Sequence, residues 1–212
     1  HFSTAKYFLE RGCDVFLEKP MTPDEPEALD LIEIAKVNRK TLFVDNIFLY
    51  TSCFNSLKEE LEGKSINSIV ARRENTSKLK NYDDVLSVLN YHDAYLIHSL
   101  VGDKLFNLKH TSELSDASCN IKLSGEIEIE IIGSYTAPEK IRYLKVTTGD
   151  EEYMWDQLEG NLYKNTKIIQ KEDEEPILRV LNFFNKLIGT SHTSSTGVAT
   201  ETLRLISHWR SS

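Results

Sequence analysis

The pattern of apolar positions divides the chain into a run of short alternating elements followed by a run of longer ones. Phe2, Ala5, Phe8 and Leu9 recur at helical spacing, and Gly12 follows as a C-cap. The stretch from Asp14 to Glu18 predicts a short strand buried on both faces. In "TPDEPEALDLIEIAKVN", Thr22 is expected as N-cap, with Pro23 at the first helical position and Glu25 completing a capping box. Ala28, Leu29, Ile32 and Ala35 give that helix a core-facing stripe. A second strand is predicted over 41–46, "TLFVDN", and a further helix over "SCFNSLKEELEG", ending at Gly63. Helix, strand, helix, strand is the order that a parallel, doubly wound sheet requires.

After Gly63 the period changes. "SINSIVARRE" reads as a strand, and "DDVLSVLNYHDAYLIHSLVG" as one helix ended by Gly102. Strands are predicted at about 104–113, 117–124, 126–136 and 140–148. Ile127, Ile129 and Ile131 alternate with Glu126, Glu128 and Glu130, so one sheet face packs and the other, glutamate-lined, faces water. "EEPILRVLNFFNKLIG" and "GVATETLRLISHW" close the chain as amphipathic helices. The expected fold class is therefore α/β plus α+β. Residues 1–63 form part of a doubly wound domain, and residues 64–212 an open-faced, mainly antiparallel sheet with helices on one face. Two strands do not make a stable sheet of the first kind. The chain, which opens on His1 inside a helical pattern, is expected to begin part-way through a longer protein.

Composition removes some function classes. A net charge of −8 over 212 residues argues against nucleic acid as a partner, because phosphate recognition needs clustered Lys and Arg. No apolar run approaches the ~20 residues of a membrane span, and no signal-peptide pattern is visible. Cys13, Cys53 and Cys119 match no zinc or redox spacing, so a reducing cytoplasm is expected and no metal. Neither G-x-G-x-x-G nor a Walker-type loop occurs in these residues.

Two residues could carry chemistry. Lys19, in "LEKPMTP", follows the first strand. The C-terminal end of a parallel strand opens on the crevice where such sheets bind ligands, and a lysine there can stabilise negative charge developing on an oxygen. Glu18 could orient its ammonium, and Pro20 fixes the backbone. His92, in "LNYHDAYLIHSL", sits on a helix beside Asp93, and histidine is the usual proton carrier near neutral pH. Alone, Lys19 reads as a solvated strand-end lysine and His92 as a half-buried structural histidine.

Taken in order, five segments resemble the glucose–fructose oxidoreductase/inositol dehydrogenase (Gfo/Idh/MocA) family. "HFSTAKYFLERGCDVFLEKPMTPDEPEALDLIEIAKVNRKTLFVDN" is similar to the second Rossmann half with its "EKP" signature. "VDNIFLYTSCFNSLKEEL" is similar to "VGHxxRFxPxxxxLKE", and "DDVLSVLNYHDAYLIHSLVG" to "xxVLxDLxxHDxDxxxxLxG". "PEKIRYLKVTTGD" and "EPILRVLNFFNKLIG" are similar to a late p-k-R strand and the penultimate helix. The nucleotide-sugar 3-dehydrogenase branch is the nearest in pattern.

The resemblance implies an NAD- or NADP-dependent oxidoreductase of a sugar or nucleotide sugar, its cofactor held mostly by a half that would precede His1. It implies Lys19 and His92 as catalytic residues, Glu18, Lys19 and Pro20 as cofactor contacts, and Asn46, Asn90 and Asp93 as substrate contacts. It also implies a homodimer or tetramer formed through the open sheet. The departures are specific. Val88 replaces an Asp expected one helical turn before His92, Tyr95 replaces the second Asp of "HDxD", Leu49 and Ser52 replace the Arg and Pro of "RFxP", and Asp45-Asn46 replaces Gly-His. They raise a second expectation: a catalytically degenerate homologue with a binding or structural role.

Overall fold

The computed structural model describes residues 1–76 and 84–211. They form two compact units, one of residues 1–50 with 174–205, the other of residues 51–173 with 206–212. The units divide between Tyr50 and Thr51, one helix before the division expected after Gly63, and residues 174–205, expected in the second region, group with the first.

In the first unit, β1 (Val15–Leu17) and β2 (Leu42–Val44) pair in parallel, with Leu17 opposite Val44. Helix α1 (Phe2–Glu10) buries Ala5 and Leu9 but leaves Phe8 46% exposed. Helix α2 (Glu25–Val37) buries Ala28, Leu31 and Ala35, whereas Leu29, expected inside, is exposed. Its N-cap is Asp24, not Thr22. The Asp24 carboxylate accepts from Glu27 N–H at 3.0 Å, and the buried Thr22 hydroxyl instead donates to the Asp24 carbonyl at 2.7 Å. The cap shifts because Thr22 is drawn inward, so Pro26 rather than Pro23 occupies the first turn.

Residues 174–205 belong here because they close over the strand pair. Phe184 of α6 (Pro176–Leu187) packs on Phe16 and Phe43, and Phe183 on Phe43 and Tyr50. The Thr41 hydroxyl donates to the Leu187 carbonyl at 2.8 Å, Leu42 N–H to the His192 carbonyl at 3.1 Å, and Val44 N–H to Ser195 Oγ at 3.1 Å. The last helix, α7 (Ser194–Arg210), starts in this unit and ends in the other.

The second unit is built on an eight-stranded sheet ordered β10-β9-β8-β7-β3-β6-β5-β4. Its strands are β3 (Ser68–Thr76), β4 (Lys109–Leu114), β5 (Ser118–Ser124), β6 (Glu128–Ser134), β7 (Thr136–Thr148), β8 (Glu151–Asp156), β9 (Asn161–Lys164) and β10 (Lys167–Lys171). All pairings are antiparallel except β3 with β6. The alternation read from sequence holds. Ile127, Ile129 and Ile131 are buried, Glu128 is exposed, and Glu130 pairs across the strands with Lys122 at 3.5 Å. Strands β8 to β10 fall in a stretch, 149–173, to which the sequence pattern assigned nothing. Residues 102–107, expected to begin a strand, form a 3-10 turn.

Helix α3 (Ser52–Leu61) packs on β8, β9 and β10. Its N-terminus is held by Glu172, whose carboxylate accepts from Ser52 N–H and Cys53 N–H, each at 3.0 Å, and from the Ser52 hydroxyl at 2.7 Å. The helix expected over 83–102 is two, α4 (Val85–Val88) and α5 (Tyr91–Val101); Asp83 lies outside the described residues. The chain turns at Leu89–Asn90 because the Asn90 amide is committed elsewhere, donating to the Ile132 carbonyl at 3.3 Å and to Asp93 at 2.9 Å. Val88 is therefore not one turn before His92 on a shared helix. Among the described residues no helix is long and apolar enough to cross a membrane.

Candidate functional site

In the first unit the predicted residues meet at the C-terminal ends of the parallel pair. Asp45 N–H donates to the Leu17 carbonyl at 2.8 Å, so the chain leaves β2 beside the point where it leaves β1. Glu18 is exposed, Lys19 and Pro20 are half-buried, and the Lys19-Pro20 peptide is cis. The His1 ring lies 2.8 Å from the Pro20 carbonyl through Nδ1. Asp45 is 5% exposed and Asn46 fully buried. Neither Asp45 Oδ1 nor either polar atom of the Asn46 amide has a hydrogen-bond partner among the described residues. Leaving such groups buried and unpaired costs about 1–3 kcal/mol each, so they call for a functional explanation. Burial, then the charge of Glu18, pushes the Asp45 carboxyl up to about 6, against the opposing pull of Lys19. Burial and the charge of Asp45 push the Tyr50 hydroxyl up to about 12.

In the second unit His92 stands, half-buried, in the first turn of α5. Its Nδ1 is 3.0 Å from the hydroxyl of Tyr95, one turn on, and the two rings meet edge to face. Tyr95 is fully buried, so it holds the imidazole from inside. The sequence alone marked Tyr95 as a lost carboxylate; the structure shows a hydroxyl doing the orienting.

Asn90 and Asp93, expected to touch substrate, are fully buried and bonded within the protein. Asp93 accepts from Arg73 Nη2 at 3.0 Å, from Arg73 Nε at 3.1 Å and from Asn90 at 2.9 Å. Arg73, 1% exposed, also donates to Gln157 at 2.6 Å. Cys119 Sγ lies 3.2 Å from Asn90 Oδ1. Gly133 lets the amide in: a Cβ there would stand 1.8 Å from Asn90 Oδ1. This network fixes the start of α5 and with it His92. Arg73 was missed, yet a signal existed. In "SIVARRE" the period of two puts it on the face of Ile69 and Ala71, and an inward arginine needs a buried anion.

Residues 1–46 match the model of the GFO_IDH_MocA family, described as an oxidoreductase family with an NAD-binding Rossmann fold. Over 70 residues, 33% of this chain and 20% of the relative's length, the sequence is 36% identical to an uncharacterized oxidoreductase, YhhX, of Escherichia coli. That match spans a fifth of the curated relative. The fold matches UDP-N-acetylglucosamine 3-dehydrogenase GnnA of Acidithiobacillus ferrooxidans with TM-score 0.86 at 19% identity, covering 100% of this chain and 74% of that one. It also matches KijD10, a 3-ketoreductase of Actinomadura kijaniata solved with NADP and TDP-benzene, with TM-score 0.79 at 13% identity, covering 100% and 74%. Over residues 1–46 the sequence is similar to that family, and along its whole length the chain shares the fold of these dehydrogenase and ketoreductase structures.

Proposed function

We propose that the protein is a nicotinamide-dependent oxidoreductase acting on a hydroxyl carbon of a sugar or nucleotide sugar. The observation that carries this reading is the pair of strand ends: a lysine beside a buried carboxylate and a buried amide whose polar atoms have no partner within the described residues. Such atoms suit a ligand that brings its own donors and acceptors, as a nicotinamide carboxamide and its ribose do. Glu18, Lys19 and Pro20 would form this chain's part of the nucleotide site. When bound, the nicotinamide supplies the hydride chemistry. Lys19 holds the reacting oxygen and stabilises negative charge on it. The resemblance assigns the hydroxyl proton to His92, and Tyr95 holds its ring. The open glutamate-lined face of the sheet is the surface through which copies associate, and a reducing cytoplasm suits the three free cysteines.

The test pairs binding with turnover. Fluorescence titration with NADH and NADPH should show saturable binding of one of them. Lys19→Ala should lower kcat on the accepted sugar by about 10²-fold or more. Tyr95→Phe should lower kcat by roughly 10-fold and move the acid limb of its pH profile, because the base that must be unprotonated has lost its hydrogen-bond partner. A protein that binds neither nucleotide, or that keeps full turnover without Lys19, is not this enzyme.

A further inference from the structure

One row of side chains in the second unit holds more hydrogen-bond donors than acceptors. Arg73 of β3 stands directly opposite Arg142 of β7, so the two side chains share a sheet face. Gln157, just past β8, donates its backbone N–H to the Arg142 carbonyl at 2.9 Å. Its side-chain oxygen accepts from Arg73 Nη2 at 2.6 Å, which puts it on the same face. The acceptors in the row are spent. Asp93 is taken by Arg73 and Asn90, and the Asn75 side-chain oxygen by Arg142 Nη2 at 3.2 Å. Arg142 Nε and Gln157 Nε2 are left over, each buried and without a hydrogen-bond partner among the described residues. Two guanidiniums facing one carboxylate leave positive charge uncompensated, and burial and the charge of Arg73 lower the Arg142 pKa against the pull of Asp93. Had Arg142 served packing only, an apolar side chain would serve it better. Arg142 and Gln157 are each half-exposed as whole residues, so a ligand can reach the row from solvent.

We propose that Arg142 and Gln157 form an anion subsite, which receives a carboxylate or phosphate group carried by the substrate. That the bound molecule is a substrate rests on the function proposed above; the subsite itself does not. Negative oxygens supply the acceptors that both nitrogens lack, and their charge offsets the second guanidinium. A neutral hydroxyl could satisfy one nitrogen and would leave the charge as it is. The row is tied to the residue assigned the proton: Asp93, which anchors Arg73, follows His92 directly in the first turn of α5. The substrate class narrows accordingly, from any sugar to one that carries an acid. Two sources share that chemistry, a sugar acid and a phosphoester such as a sugar phosphate or a nucleotide sugar.

The test reads the two nitrogens directly. Protein labelled with 15N is titrated by NMR with a hexuronate, a hexose 1-phosphate and the neutral hexose. The Arg142 Nε signal is the one lost in Arg142→Met, and the Gln157 side-chain amide the one lost in Gln157→Glu. Both signals should shift saturably with at least one anion and stay in place with the neutral hexose. Saturation by the hexuronate alone identifies a sugar acid, by the hexose 1-phosphate alone a phosphoester, and by both the charge itself as what is read. Arg142→Met should weaken the anion's affinity by about 10- to 100-fold. Gln157→Glu keeps an acceptor for Arg73 and puts a carboxylate oxygen where the donor was. It should abolish anion binding while its thermal midpoint stays at or above that of the wild type. No saturable shift with either anion, an equal shift with the neutral hexose, or binding that survives Arg142→Met or Gln157→Glu overturns the proposal. Anion binding by a protein that takes up neither NADH nor NADPH upholds the subsite and refutes the oxidoreductase reading alone. In an active protein, Arg142→Met should raise KM for the acidic substrate by the same factor and leave kcat near its wild-type value.

Discussion

Replacing Asp93 with alanine should strand Arg73, and the size of the loss follows from what surrounds the pair. The side chains of Arg73 and Asp93 are 2% and 0% exposed. Asp93 accepts three hydrogen bonds from the guanidinium, two from Nε and one from Nη2, and one from Asn90. Removing one partner of a buried pair costs about 3–5 kcal/mol, because the other charge is left without compensation. Gln157 would still accept from Arg73 Nη2 at 2.6 Å, which places the expected loss at the lower end. A loss of about 3 kcal/mol is roughly 150-fold in the folding equilibrium. The assay is urea unfolding followed by tryptophan fluorescence. Trp155 and Trp209 are both buried in the second unit, so the signal reports the unit that holds the pair. A double variant, Arg73→Met with Asp93→Leu, should recover most of the loss, since a matched apolar pair avoids desolvating two charges. If Asp93→Ala stays within about 0.5 kcal/mol of the wild type, or if the two changes simply add, the network does not hold α5. Asp93 would then return to the list of substrate contacts.

Gly133→Ala should destabilise the same unit by about 1–3 kcal/mol and broaden its thermal transition, because the new methyl meets Asn90 Oδ1 at 1.8 Å and that amide is already pinned. Native alkylation with iodoacetamide, read by peptide mass spectrometry, should label exposed Cys13 and spare Cys53 and Cys119, whose thiols burial pushes up to about 12; rapid labelling of Cys53 would refute the seal formed by α3. Asp45 should make the first unit less stable as pH rises. Its folded pKa of about 6 lies above the ordinary 3.8, so the favourable contribution is complete below about pH 4 and lost through about pH 6. Asp45→Asn should flatten that slope in a series of denaturation curves.

Much of this was legible in the sequence where one periodicity governs a whole element. The strands carrying Ile127, Ile129 and Ile131, the helix over 52–61 and the position of Lys19 after β1 all came from local pattern. Three features did not. The break at Leu89–Asn90 is imposed by hydrogen bonds to Ile132 and Asp93, the first 42 residues away in sequence, which no local window contains. The Asp24 cap competes with a Thr22 cap that satisfies the same sequence rule, and burial of Thr22 decides between them. Strands β8 to β10 contain Glu, Asn, Lys and Gln among their apolar residues, and they pair because β7 offers its edge and α3 covers them. At the site, the types and places of Lys19 and His92 were readable, and their supports were not. The resemblance implies Asn90 and Asp93 as substrate contacts, and the structure places both in a buried network with Arg73.

The departures at Val88, Tyr95 and Asp45 bear on whether the fold has kept its chemistry. Val88 counts as a lost orienting carboxylate only if it shares a helix face with His92, and the turn at Leu89–Asn90 separates the two. The orienting contact on His92 comes from the other direction, from Tyr95 at 3.0 Å. A carboxylate stands instead at the end of β2, at Asp45, where its burial with an unpartnered oxygen would be a pure cost in a protein that no longer used the strand ends. A scaffold freed from catalysis would be expected to fill such a position with an apolar side chain. That argument favours an oxidoreductase whose two acting residues are supported by different atoms over a degenerate homologue. The two readings part on one comparison: Asp45→Leu should stabilise the first unit on either reading, and only on the oxidoreductase reading should it weaken nucleotide binding or turnover.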